Sequence, residues 1–468
     1  MSGWRLLWSG VLLFWIGSGC AHYPLNAPLS RYQPTQGYRF AALRTDGNTN
    51  SLFLCLTFSG GGTRAAALAY GVLQKLKDTP ITWKGKEKRL LDEVDCISAV
   101  SGGSFTAAYY ALFHERLFTD FRTRFLERNI EHELKLQLFS PANLFRLLSP
   151  YFSRIDLAAE LYHTTIFDQK TFADLLARGD RPFLILNATN LANGERFEFT
   201  QDQFDFLGSD LSSYPVARAV AASSAFPFLL SPISLQNYPP PLDYSLPDEY
   251  KNALQDYETN RRRFHWARNQ IAYLDATRRP YLHLMDGGLA DNIGLRAIEN
   301  AYRRSNGFIR MLLNAGEIET LALLVVNART APQERLSQQE RPPGLVTVGY
   351  KTATISLDNY SFETVELMKD LQRERLQAQR VIEACQRLLE ERCPGGPPLP
   401  TFPVQVRIYV IEVNFEAIRD EERRHFFLNL PTSFALPSDA VQALIAVGPE
   451  LLDQSSEFQR FLQSMNQE

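Results

Sequence analysis

Twice between residues 52 and 113 this chain runs an apolar stretch into glycines and then into a segment with helical spacing. Leu52 to Phe58 rises into Ser59-Gly60-Gly61-Gly62-Thr63, after which Ala65, Leu68, Ala69, Val72, Leu73 and Leu76 recur on one helical face. Val94 to Val100 runs into Ser101-Gly102-Gly103 and then into Phe105 to Phe113. Two strand, glycine, helix units in succession predict an α/β fold on a mostly parallel sheet, because parallel strands need a crossover and a helix is the usual one. Short apolar runs at Phe183 to Leu186, Leu282 to Met285 and Leu321 to Val326 read as further buried strands of that sheet.

A chain of 468 residues with 45% hydrophobic and 22% charged side chains can bury a large core, as one embellished domain or as two. Lys plus Arg number 49 against 52 Asp plus Glu, a formal charge of −3, which offers no field to hold a polyanion. Nucleic acid is thereby disfavoured as a partner. No cluster has metal-ligand spacing, and the seven histidines are scattered.

The N-terminus is built differently. Arg5 precedes an apolar run from Val11 to Ile16, then Gly17, Ser18 and Gly19, then Cys20. This reads as an export signal over residues 1–19, too short to span a bilayer as a helix. Small residues followed directly by Cys20 resemble the lipobox of bacterial lipoproteins, which implies lipidation at Cys20. Ala21 after it implies, by the same resemblance, an outer-membrane lipoprotein of the cell envelope. Residues 20–50, rich in Pro, Asn, Gln, Gly and Thr, read as a linker from that anchor to the body.

Cys55 and Cys96, inside apolar runs, read as buried apolar fillers, whereas Cys385 and Cys393 are spaced to permit a disulfide in an oxidising compartment. Residues 236–280 read as an insertion carried on the sheet. Its run Arg261-Arg262-Arg263 beside Phe264, Trp266 and Tyr273 is either a solvated helix face or a lid or membrane-facing surface. Residues 331–468 form a C-terminal extension. It is helical from about Thr354 to Glu391, and its apolar run Val404 to Phe415 either rejoins the sheet or begins a small domain.

Taken alone, Gly60, Gly62 and Ala65 also satisfy the dinucleotide pattern G-x-G-x-x-G/A, so a nucleotide-binding oxidoreductase is one reading of the first loop. Three glycines before a helix leave N–H groups free to meet a negative oxygen. Ala99-Val100-Ser101-Gly102-Gly103 resembles a nucleophile elbow, in which a serine on a tight strand-to-helix turn needs neighbours without bulk. A helix N-cap serine is the plain alternative. Leu282 to Met285 then ends in Asp286-Gly287-Gly288, a carboxylate at a strand end.

Gly-Gly-Gly-Thr-Arg, Ser-Gly-Gly and Asp-Gly-Gly in that order, each after a strand, resemble the patatin-like phospholipases. So does the Ala/Ser-rich block from Ala217 to Pro227. The resemblance spans roughly residues 52 to 295, within a catalytic domain placed at 51–330. It implies a patatin-like hydrolase of phospholipid or other acyl-ester substrates, with no cofactor and no metal. Ser101 is then the nucleophile and Asp286 its partner, in a dyad without histidine. Gly60, Gly61 and Gly62 form the oxyanion hole, and Arg64 orients the loop or meets a headgroup phosphate. Two alternatives stay open: a Ser-His-Asp esterase using His283 or His425, and a non-catalytic lipid-binding lipoprotein.

Overall fold

The computed structural model describes residues 21–44, 47–227, 229–331, 336–338, 340–392 and 406–465. The signal segment, Cys20 and Cys393 lie outside the described residues. The main sheet is built from β1 (Leu52–Phe58), β2 (Val94–Val100), β3 (Phe183–Asn190), β4 (Arg196–Glu198), β5 (Ile233–Gln236), β6 (Tyr281–Asp286), β7 (Thr320–Asn327) and β8 (Arg407–Asn414). Their order across the sheet is β8-β7-β1-β2-β3-β6-β5, with β4 paired to the far end of β3. The strands from β8 through β3 are parallel, and β6 runs antiparallel to both β3 and β5. Every residue of β1, β2, β3 and β7 is buried, as continuous apolar runs covered on both faces require.

The C-terminal apolar run thus rejoins the main sheet over Arg407–Asn414 as its edge strand β8, in parallel register with β7. Helix α1 (Thr63–Lys77) follows β1, α2 (Gly102–Phe113) follows β2, and α3 (Val216–Ser223) precedes β5. A long helix α4 (Leu345–Arg392) and α5 (Ser438–Gln454) complete the C-terminal part. The α5 helix crosses α1 almost backbone to backbone. A Cβ at Gly71 would overlap the Ile445 carbonyl, lying 2.9 Å from its carbon, and one at Gly448 would lie 3.1 Å from the Val72 nitrogen. Gly71→Ala is expected to lower stability by about 2 kcal/mol, because a main-chain carbonyl cannot rotate aside and overpacking outweighs the helix propensity alanine adds. Equal denaturation midpoints for this variant and the wild type would contradict the tight crossing.

Two sequence expectations change here. Residues 21–44 are not a linker but a strap on the body. Tyr38, Phe40 and Leu43 are buried in the core, Arg39 forms ion pairs with Asp202 and Asp205, and Ala27–Pro28 pairs with Ser209–Asp210. Polar composition hid the few apolar anchors that decide this. Cys55 and Cys96 are not separate fillers: β1 and β2 pair them in register, Cα atoms 4.7 Å apart, and a disulfide joins them. Cys385 stands exposed on α4.

Residues 237–280, read as an insertion with either a solvated helix face or a lid, connect the antiparallel partners β5 and β6. Tyr273 is buried with its hydroxyl accepting from the Asn190 amide (2.9 Å). Trp266 packs against both Tyr250 and the Arg304 guanidinium, the latter 4.0 Å from its ring. These two aromatics hold the segment to the body, while Arg261, Arg262 and Arg268 stay exposed on the helix Arg261–Ile271. Among the described residues, no helix is long and apolar enough to cross a membrane.

Candidate active site

Ser101 sits between β2 and α2 with φ +49° and ψ −122°, a backbone region costly for any residue with a Cβ. The turn survives because its neighbours are held from several sides. The Ser101 N–H donates to the Ser223 hydroxyl (2.9 Å), which also lies 2.9 Å from the Ser104 hydroxyl. A side chain at Gly102 would overlap the Gly62 backbone, so the elbow and the glycine loop are in direct contact. The N-terminus of α2 adds its positive dipole end beside Ser101.

Asp286 reaches Ser101 through sheet register. Val100 of β2 pairs with Asn187 of β3, and the next residue of β3, Ala188, pairs with Asp286. Antiparallel β6 therefore stops level with the residue that follows Val100. The Ser101 Oγ donates to Asp286 Oδ2 at 2.8 Å, and Asp286 Oδ1 accepts the Gly288 N–H at 2.8 Å. The Asp286 backbone is fixed on both sides: its N–H donates to the Ala225 carbonyl, and its carbonyl accepts the Thr189 hydroxyl (2.8 Å). Gly287 lacks a side chain because one would overlap the Asn187 carbonyl.

Both side chains are nearly buried. Burial pushes the Asp286 carboxyl up to about 6, against the downward pull of the Gly288 N–H and the Ser101 hydroxyl. The seven histidines all lie within the described residues, and none hydrogen-bonds to Ser101 or Asp286. His283 is exposed and pairs with the Ser234 hydroxyl (2.9 Å), and His425 is exposed on the helix Glu421–Leu428.

The glycine loop lies beside the elbow, and its three members differ. The Gly60 N–H donates to the Asn292 carbonyl (2.9 Å), so the three-donor expectation loses Gly60. Gly60 contributes closeness instead, since a Cβ there would lie 3.2 Å from the Ser101 Cβ. Gly61 and Gly62, with φ +140° and +60°, lead into α1, and neither N–H donates to another group among the described residues. Arg64 is buried beneath this loop. Its guanidinium donates to the carbonyls of Ala328 (2.9 Å) and Leu430 (2.7 Å) and to the Thr432 hydroxyl (3.1 Å), so it orients the loop and is not exposed to a headgroup.

Sequence reading did not assign Ser223, Thr189, Asn292 or Ser433, each of which braces the site from elsewhere in the chain. Only Ser223 left a signal, since it lies in the Ala/Ser-rich block. The Thr63 N–H donates to the Ser433 carbonyl (2.8 Å), and Gly62 pairs with Ser433 as an isolated parallel bridge. With Ser433, Asn292 and Ser101 packed around it, the first loop has its glycines because protein approaches them.

The family profile described as patatin-like phospholipase matches residues 56–298, just over half of the 468-residue chain. The chain belongs to this family. No curated protein matches it. Among solved structures, human GIVD cytosolic phospholipase A2 is similar over 89% of this chain, at 16% identity and a TM-score of 0.46. This chain covers 62% of that protein's length. The same human protein in complex with methyl gamma-linolenyl fluorophosphonate is similar over 89% of this chain and 59% of its own, at 14% identity and a TM-score of 0.38. VipD from Legionella pneumophila is similar over 85% of this chain and 67% of its own, at 13% identity and a TM-score of 0.26. Within the patatin-like family frame, the mixed but mostly parallel sheet and the flanking helices carry Ser101, the glycine loop and Asp286 at adjoining strand ends.

Proposed function

We propose that this patatin-like protein is a lipid acyl hydrolase in which Ser101 is the nucleophile and Asp286 the general base. The observation that carries the reading is the 2.8 Å hydrogen bond from the hydroxyl of Ser101, on its strained turn, to a buried carboxylate, with no histidine bonded to either. Ser101 Oγ attacks the ester carbonyl while its proton passes to Asp286. The N–H groups of Gly61 and Gly62 meet the oxyanion at the N-terminus of α1. The alcohol leaves with the proton from Asp286, giving an acyl ester on Ser101. Water then attacks that ester, returns its proton through Asp286 to Ser101, and releases the fatty acid.

Phospholipid is the substrate class this reading favours, and lipid anchoring at Cys20 at the outer membrane of the cell envelope belongs to the same reading. Fatty-acid release from mixed phospholipids by the full chain tests it. Ser101→Ala is expected to abolish release, whereas His283→Ala and His425→Ala keep it within about twofold, as surface substitutions do. A folded histidine variant as inactive as Ser101→Ala would replace the dyad by a Ser-His mechanism.

A further inference from the structure

The helices Ile130–Leu138 and Pro141–Arg146 and the turn after them present large apolar side chains outward. Leu136 is 61% exposed, Phe139 71% and Leu148 59%, with Leu144 and Tyr151 also exposed. Isolated exposed apolar residues are ordinary, but a contiguous group on adjoining elements is a surface that something covers. Arg128 pairs with Glu133 and Arg146 with Glu160, while Lys135 stands exposed beside Leu136. What remains facing out is mainly apolar, with Lys135 as a cation whose long side chain can reach a headgroup layer.

Two connections fix where this apolar ledge sits. The first leads to the candidate active site. Glu131, on the helix that leads into the ledge, accepts the Ser433 hydroxyl (2.6 Å) and the Phe434 N–H (2.9 Å), and Ser433 is the residue paired with Gly62 of the glycine loop. The second leads to the N-terminal strap. Ser149 Oγ donates to the Ala21 carbonyl (2.5 Å), the Tyr23 N–H donates to the Tyr151 carbonyl (2.8 Å), and His22 stacks on Tyr151 with ring centroids 5.1 Å apart. Cys20, the residue read as the lipid anchor, therefore directly precedes a point of the chain that is fastened to the ledge itself.

We infer that the ledge formed by residues 136–151 is a docking surface for a phospholipid bilayer, which holds the glycine loop and Ser101 toward the lipid. An apolar leaflet is the occupant that matches a mostly apolar ledge and a chain that enters the body at that same edge directly after Cys20. Insertion is hydrophobic and so insensitive to salt. The docking stands on the ledge itself. Only its benefit to turnover rests on the lipid-hydrolase reading.

The test uses the full chain with phosphatidylcholine vesicles. Amide hydrogen exchange is expected to slow at least about fivefold within 136–151 on vesicle binding, and to stay unchanged in the half-exposed helix Arg261–Ile271. Combining Leu136→Ser, Phe139→Ser and Leu148→Ser, all at exposed positions, is expected to lower hydrolysis of vesicle phospholipid about tenfold or more. Hydrolysis of a dissolved short-chain ester is expected to stay within about twofold, because the catalytic groups are untouched. An unprotected ledge in vesicle-bound protein, or an unchanged vesicle rate in the triple variant, overturns the proposal. Protection that grows with protein concentration without vesicles overturns it in favour of a second copy of the chain. Should the wild type hydrolyse neither substrate, the lipid-hydrolase reading fails, while hydrogen exchange still decides the docking.

Discussion

Asp286→Asn is expected to lower turnover between about 100-fold and 10,000-fold while the protein stays folded, because asparagine keeps the shape of the side chain but cannot take the serine proton. The Gly288 N–H retains an oxygen acceptor, and the Ser101 hydroxyl can turn to accept from the new amide. The stability effect has a definite sign. Burial raises the Asp286 pKa to about 6, so the folded state favours the protonated carboxyl. That favourable contribution is complete below the ordinary carboxyl range and is lost as pH rises through 6. Asparagine carries no charge at any of these pH values. Asp286→Asn is therefore expected to be as stable as the wild type near pH 4 and more stable at pH 8, by up to about 3 kcal/mol. The wild-type rate is expected to fall about tenfold per pH unit below 6, as the base becomes protonated. Denaturation at the two pH values, with a pH–rate profile, checks both. A variant markedly less stable at pH 8, or one that keeps wild-type turnover, would remove Asp286 from the role of buried base.

Gly102→Ala is expected to cost nearly as much through geometry alone. A Cβ there would lie 2.5 Å from the Gly62 nitrogen and overlap its carbonyl, and both neighbours are main chain. Either the elbow or the glycine loop must retreat. The loop is braced by the Thr63 to Ser433 hydrogen bond (2.8 Å), and the elbow by the Ser101 N–H to Ser223 (2.9 Å). A displacement of about 1 Å between nucleophile and oxyanion donors is worth about 100-fold in rate. Gly47→Ala, with open space around its Cβ, serves as the control and is expected to stay within about twofold. Comparing the two by ester hydrolysis, after matching folded fractions by circular dichroism, isolates the contact. Full activity in Gly102→Ala would mean that the loop and the elbow need not touch.

The sequence by itself determined the features whose cause is local. An apolar run followed by small residues and a helical period can form little other than strand, turn and helix, so β1, β2, the glycine loop and the position of Ser101 were legible without the fold. Asp286 at the end of an apolar run was legible for the same reason. The edge strand β8 showed its apolar run but not its neighbour. What only the tertiary structure decided was direction, register and occupancy, because each is set by residues far away in the chain. Parallel and antiparallel strands share one side-chain period, so nothing in Leu282 to Met285 revealed that β6 runs backwards and halts level with Ser101. Register also joined Cys55 to Cys96 across neighbouring strands, which a separation of 41 residues conceals. Occupancy took Gly60 out of the set of free donors through Asn292 and turned Arg64 inward to three oxygens of later segments. The polar N-terminal stretch became a strap because burying a few side chains, Tyr38 and Phe40 among them, is enough to hold it, and mean composition averages such anchors away.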